Sequence, residues 1–341
     1  MAGAAKGPDE VVLDHGSGAK LSHELISLIV DTLGDVYIGE MEDSAMLTLP
    51  TAQIAMTTDS FVVDPPFFGN GDIGKIAVCG TVNDLAVVGA RPLYLTLGMI
   101  LETGLPISRL VQVLTSIRDV ALEADVKIVC GDTKVVRKGE VDQIYLNTAG
   151  VGIFERAPLR MRDVRPGDRV LLSGAIGNHT VHLLSIREGL GFEKRVLSDC
   201  APLNGLIDQL LTTVDAGLVR SVRDVTRGGL AAVLHEYALS SGYTIRVEKE
   251  ALPIQFETVM ATDMLGIDAI HAANEGCVCL FVDPRAEQEV LAALRAHKYG
   301  AEAVVIGEVT SVAESVVLMR TADGRESVLE ELEGSELPRL C

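Results

Sequence analysis

Five aspartates carry the first chemical signal in this chain. Asp43 lies in Glu42-Asp43-Ser44-Ala45, Asp59 in Thr57-Thr58-Asp59-Ser60, and Asp84 in Val82-Asn83-Asp84-Leu85. Asp132 lies in Cys130-Gly131-Asp132-Thr133-Lys134, and Asp224 in Arg223-Asp224-Val225-Thr226-Arg227-Gly228-Gly229. Asp59, Asp84 and Asp132 adjoin apolar segments, where an uncompensated charge is costly. Such acids end up capped, paired or on a metal ion. Several carboxylates in one domain suit Mg2+ that also holds nucleotide phosphates. For any single aspartate, helix capping or turn formation is the simpler account. Only the set argues for chemistry. Glycine-rich segments at His15–Gly18, Phe68–Gly74 and Arg227–Gly229 offer backbone N–H groups to phosphate where a helix follows. None matches the Walker A or Rossmann pattern, so each is equally well an ordinary turn.

The last residue is a thiol, Cys341. At the end of a chain it is a poor core residue. Its own α-carboxylate should raise its pKa, which argues against a freely reactive nucleophile, and Arg339 offsets this in part. A prenylation signal is excluded, because that cysteine stands fourth from the end. The residues alone leave a functional thiol and an incidental terminal residue level.

These groups need elements to position them. The spacing predicts a helix capped by Ser22, with Leu25, Ile26, Ile29, Val30 and Leu33 on one face. Ala45–Leu49 and Gln53–Thr58 read as strands, as do Pro92–Leu101, Ile128–Gly131 and Gln143–Phe154. Ile73–Gly89 and Ile107–Asp125 have helical periodicity. An Arg- and Pro-rich stretch at Glu155–Gly167 marks a boundary. Beyond it, Val170–Ser173 reads as a strand and Gly228–Ser241 as a helix, and Val278–Val282, Arg285–His297 and Val304–Thr310 form a β-α-β series. Strands and helices mix in both halves, so the fold class is α/β (α+β) with two domains. The expected division is an arm and helix over 1–40, a first domain over 41–155, a second over 156–322 and a mobile tail over 323–341.

Bulk composition narrows the function classes. With 48% hydrophobic and 23% charged residues, the chain is globular. A net charge of −19 disfavours nucleic acid and anionic membrane surfaces as partners. The six cysteines include no CxxC pair, and Cys277-Val-Cys279 reads as two small apolar residues in a strand. Scattered thiols fit a reducing cytoplasm. No signal-peptide pattern or membrane-length apolar run is present.

Several stretches together resemble the HypE hydrogenase maturation proteins, which are carbamoyl dehydratases. They are Thr57–Pro106, Val129–Val135 (VCGDTKV), Arg223–Gly229 (RDVTRGG), Ala273–Gly276 (ANEG) and the ending Pro338-Arg339-Leu340-Cys341. They run in the family's order along the whole chain, and the ending is highly specific. Departures are small. Asn178 stands in Gly177-Asn178-His179-Thr180 where the family often has Asp, Gly18-Ala19 replaces Gly-Gly, and Cys277 stands where Lys is frequent.

The resemblance implies an ATP-binding N-terminal domain that forms a dimeric, shared β-barrel. It implies that a HypF-type carbamoyltransferase loads the Cys341 sulfur and that ATP then drives dehydration of the S-carbamoyl group to a thiocyanate. The cyanide passes to iron on a HypC–HypD-type complex for nickel–iron hydrogenase. By motif match, Asp43, Asp59, Asp84 and Asp224 become Mg2+ ligands. His15, Lys20, Lys75, Asn83, Asp132, Arg227 and Gly228 become ATP contacts. Lys134 and Glu275 become proton-handling or orienting groups beside Cys341. Extended, Glu331–Cys341 would span roughly 30 Å, enough for an inward and an outward state. Two alternatives compete with this reading. Selenophosphate synthetase carries a reactive thiol in its N-terminal glycine-rich loop, and Asp14–Lys20 has none. A non-catalytic S-carbamoyl carrier would need no set of acids.

Overall fold

The computed structural model describes residues 9–16, 20–38, 48–51, 53–215, 217–330 and 339–341. The first half contains α1 (Lys20–Leu33), β1 (Ile54–Phe61), α2 (Ile73–Val87), β2 (Arg91–Glu102), α3 (Ile107–Glu123), β3 (Lys127–Val136) and β4 (Ile144–Ile153). Its strands form one four-stranded sheet in the order β1-β4-β2-β3, antiparallel except for the β2–β3 pair. Strand alternation sorts the residues between two faces. Leu95, Leu97, Met99, Leu101, Ile144 and Leu146 turn inward onto Ile76, Ala77, Leu110 and Leu114 of α2 and α3. The opposite face leaves Met56 and Ile100 exposed.

Helix α2 is apolar nearly all round because it is covered on nearly every side, by β1, β4 and α3 and by the helix Asn204–Thr213 and the strand Val219–Asp224 of the second half. Asp72 caps it, accepting Gly74 N at 2.9 Å and Lys75 N at 3.1 Å, while its second oxygen accepts Ser116 Oγ at 2.6 Å. A Cβ on Gly74 would sit 2.5 Å from Val113 O, so glycine lets α2 and α3 approach.

The second half contains β5 (Arg169–Leu172), α4 (Asn178–Glu188), α5 (Asn204–Thr213), β6 (Val219–Asp224), α6 (Gly229–Ser241), β7 (Ile245–Glu248) and α7 (Phe256–Leu265). It continues with β8 (Val278–Val282), α8 (Glu287–Arg295), β9 (Val304–Val309), β10 (Val317–Arg320) and β11 (Glu326–Val328). Seven strands pair in the order β11-β10-β7-β9-β5-β8-β6. Strand β8 is buried on both faces. Val278, Leu280 and Val282 meet the α5 and α8 side, while Cys279 and Phe281 meet α6. Phe281 stacks on Tyr237 with ring centroids 4.0 Å apart.

One chain makes an open sheet with β1 and β3 at its edges, and the expected barrel is one shared between two copies. Three expectations change here. Ser22 lies inside α1, which starts at Lys20, and its hydroxyl donates to Asp14 O at 3.4 Å. The stretch read as a tail from Asp323 instead contributes β11 to the sheet, and its last three residues are packed into the body. Of the expected strand Ala45–Leu49, residues 45–47 lie outside the described residues, and Thr48 and Leu49 are not in a strand.

Candidate active site

Strand β1 puts Thr57 and Asp59 on the sheet face that meets α2, and Asp84 lies in the last turn of α2. Asp224 closes β6, which packs on α2 from the second half. The three carboxylates feel one another. Burial, then the neighbouring Asp84, pushes Asp59 up to about 6, with Arg227 pulling the other way. Burial, then Asp84, likewise pushes Asp224 up to about 6, and Asp59 adds to the effect. Thr57 Oγ1 donates to Asp84 Oδ2 at 2.8 Å. Like charges held together and partly dried raise one another in this way, and a cation relieves it.

After Asp224 the chain turns through Arg227 and Gly228 into α6. Gly228 and Gly229 have φ of 77° and 63°. A Cβ on Gly229 would meet Ile270 O at 2.5 Å, so only glycine fits this turn. Arg227 is exposed and acts electrostatically on both Asp59 and Cys341.

Cys341 reaches this region from the other end of the chain. Its terminal carboxylate accepts Val62 N at 3.0 Å, just past β1. Leu340 is buried in the N-terminal core. Burial, then Glu275, pushes the Cys341 thiol up to about 11. The terminal carboxylate invoked from sequence is therefore not the leading cause. Glu275 is buried, and desolvation followed by Cys200 and Asp199 holds its carboxyl well above the usual range. Asp199 brackets the turn beneath it, accepting Glu275 N and Gly276 N, each at 3.1 Å. A Cβ on Gly276 would fall 1.8 Å from Asp199 O. Asp199 is itself pushed up to about 6 by burial.

Asp59, Asp84, Asp224, Arg227, Gly228, Glu275 and Cys341 thus converge. Other expected residues do not. Lys134 and Asp132 pair with each other at 2.8 Å on β3, two-thirds exposed. They point to the outer face, at the opposite edge of the sheet from β1. Three strand spacings put them about 14 Å from β1. Asn83 is spent on the frame, donating to Ala201 O at 3.1 Å and accepting Leu203 N at 2.7 Å. His15 accepts Val12 N at 2.9 Å within its own turn. Lys75 Nζ reaches Asn70 O at 3.4 Å and lies near enough to Asp199 to lower it. Asp43 and the Lys20 side chain lie outside the described residues, as do Gly18 and Ala19. Asn178 accepts Thr258 Oγ1 at 2.7 Å and is structural. Buried Cys277, pushed up to about 12 by desolvation, lies between Ser173 and Gly174 as a core thiol. Asp199 carries no motif label and escapes sequence reading. Its one signal is the acid beside Cys200, near the glycine-bearing Asn274-Glu275-Gly276 turn in space only.

A cleft of about 570 Å3 adjoins the acids, lined by Thr57, Asp84, Arg160 and Arg223 on its polar side and by Met56, Leu85, Val88, Phe154 and Leu159 on its apolar side.

Comparison with known proteins identifies the family. Residues 41–154 match the family described as AIR synthase related protein, N-terminal domain, and residues 165–320 match its C-terminal domain. The carbamoyl dehydratase HypE of Azotobacter vinelandii is 41% identical over 97% of each chain. The chain belongs to the HypE family. HypE of Escherichia coli K12 is 41% identical over 98% of this chain and 100% of its own. A crystal structure of HypE in complex with ATP superposes with a TM-score of 0.92 at 41% identity, covering 97% of this chain and 99% of that one. In a HypE–HypF complex, the HypE chain superposes at 0.79 and 42% identity, covering 92% and 100%.

Proposed function

We propose that this chain converts an S-carbamoyl group on Cys341 into a thiocyanate at the expense of ATP. The observation that carries it is the position of Cys341, folded in beside Glu275 and the acids of β1, α2 and β6.

The chemistry balances as follows. Amide oxygen is a poor leaving group, so the carbamoyl oxygen attacks the γ-phosphorus of ATP and ADP leaves. One N–H proton is lost, giving S–C(=NH)–O–phosphate. The C–O bond then breaks, the second N–H proton departs, and S–C≡N and phosphate remain. The apolar side of the cleft suits adenine, and Arg160 and Arg223 face its phosphates. Among the described residues no three acid, His or Cys side chains are placed to hold a metal ion by themselves. Asp59, Asp84 and Asp224 would hold Mg2+ only together with phosphate oxygens, which supply most of its shell. Bound there, Mg2+ would neutralise charge on the transferring phosphoryl group. Asp43 remains a further ligand candidate. Glu275, kept protonated by burial, orients the carbamoyl group by donating to it.

The outer-face position of Asp132 and Lys134 is explained if a second copy of the chain covers the exposed Met56 and Ile100 face. Lys134 of each copy would then serve the other's site, taking a carbamoyl N–H proton. On this reading residues 41–155 bind ATP and form the homodimer, 156–322 complete the site, and 323–341 carry the cysteine. The thiol is half-buried and, with its pKa pushed up by burial, unionised when docked, so loading needs it outside. A HypF-type carbamoyltransferase is the loading partner, and a HypC–HypD-type iron scaffold is the acceptor. Among the described residues no helix is long and apolar enough to cross a membrane, and a cytoplasmic setting fits free thiols throughout.

The test is to load Cys341 with a carbamoyltransferase and carbamoyl phosphate and to follow the C-terminal peptide by mass spectrometry. The adduct should lose one water only with Mg-ATP. An adduct that never dehydrates would leave a carrier and remove the enzyme.

A further inference from the structure

Helix α4 is buried along its first two turns, and two of its polar residues, His179 and Arg187, are aimed at the chain terminus. His179 is fully buried and pushed down to about 4, so it is neutral. Its Nε2 faces Leu340 O at 2.9 Å, and a carbonyl only accepts, so the proton is on Nε2. Nδ1 then accepts from Ser198 Oγ at 2.7 Å, and Ser198 Oγ accepts Cys200 N at 3.2 Å, which fixes that tautomer. Two turns on, Arg187 donates to Arg339 O and to Asp64 O. Residues 339–341 run antiparallel to 62–64, with Asp64 N donating to Arg339 O at 3.4 Å and Arg339 Nε donating to Val62 O at 2.7 Å. The Arg339 guanidinium pairs with Asp142 in the turn before β4 and lies 5.4 Å over the Tyr145 ring.

None of these contacts uses the sulfur. They read two backbone carbonyls and the side chain two residues before the thiol. We propose that His179, Arg187 and Asp142 form a dock that sets the register of the C-terminal arm and is indifferent to the group Cys341 carries. A free, carbamoylated or cyanated arm would enter in one position, with the sulfur always at the acids. The dock is also releasable. Arg187 and Arg339 repel each other, and Arg339 Nη2 is buried without a partner. These are positioning residues. They touch no reacting atom, and the inference rests on the proposed function only for what happens to the docked group.

The test uses the full chain. Cys341 is alkylated with iodoacetamide and read by peptide mass spectrometry. Arg187→Ala should speed alkylation roughly tenfold, as loss of a charged hydrogen-bond donor implies. Asp142→Ala, exposed and harmless to folding, should speed it roughly threefold. Arg339→Asp should speed it too, and adding Asp142→Arg should restore protection, an outcome a general structural role would not give. Dehydration of the partner-loaded variants should then follow the docked fraction measured on the free thiol, with ATP affinity unchanged. Wild-type alkylation rates in both Arg187→Ala and Asp142→Ala would overturn the dock. So would a fall in dehydration at unchanged alkylation. Failure of loaded wild-type protein to dehydrate would instead overturn the proposed reaction, and the alkylation arm would still decide the dock.

Discussion

On the C-terminal sheet, Arg169 meets Glu308 at 2.6 Å and Glu287 at 3.1 Å, and Arg246 meets Glu326 at 2.7 Å and Glu308 at 3.3 Å. Around Asp59, Asp84 and Asp224 the same kinds of charge are arranged the other way. Three carboxylates press on one another while Arg227 and Arg223 stand at the exposed rim. The first region is satisfied by the chain itself and serves the fold. The second is left short of positive charge, which on the proposed reading a bound cation would supply. A buried charge without a partner inside the chain is thus the mark of the site.

The sharpest way to break this contrast is to neutralise one acid. Asp84→Asn should lower single-turnover dehydration by about a hundredfold or more, as loss of a preorganised charge at a transferring phosphoryl group does. The thermal midpoint should hold or rise, because repulsion is relieved. A midpoint that falls would make Asp84 a structural acid like Glu308. Mixing inactive Asp84→Asn and Lys134→Ala chains should return about a quarter of wild-type activity. Random pairing makes half the dimers mixed, each with one intact site if two copies share it. No recovery on mixing would place Lys134 outside the neighbouring site. On the satisfied side, Arg246→Ala should cost about 1 kcal/mol in denaturant unfolding and leave dehydration unchanged.

The smallest effect is in pH. Asp59 and Asp224 have folded values near 6 against 3.8 in an unfolded chain. Between those values the folded state holds protons the unfolded state has released, so their contribution to stability falls as pH rises from about 4 to about 6. The fall should be on the order of 1 kcal/mol, discounted because Asp59 is partly wet. Asp84→Asn should flatten it, and an unchanged slope would show that the three acids do not share charge.

The sequence shows the parts of this site better than their arrangement. Helices α2 and α3 and strand β2 follow from periodicity, because each has length and a regular apolar pattern. Helix α4 does not. Asn178-His179-Thr180-Val181-His182 is buried on all sides, so its polar residues look like loop when read alone. Strands β6 and β7 are short and charged, and α7 turns Phe256, Met260 and Met264 outward, which hides its inner face. Strand β3 runs on to Val136, past Gly131 where the expected strand stops, because pairing with β2 overrides the local preference of Gly131 and Asp132. The acids of the site were visible one by one from their apolar surroundings. That Asp59 and Lys134 fall on opposite faces and opposite edges follows from strand order, which spacing does not encode. Asp199, His179 and Arg187 act through contacts separated by 76 to 161 residues.

The most direct measurement follows the carbamoyl oxygen. Cys341 is loaded with carbamoyl phosphate labelled with heavy oxygen in its carbonyl, and Mg-ATP is added for a single turnover. If the docked carbamoyl group attacks ATP, the heavy oxygen appears in inorganic phosphate as the thiocyanate forms. Unlabelled phosphate, with the heavy oxygen in water or retained on Cys341, would contradict the account.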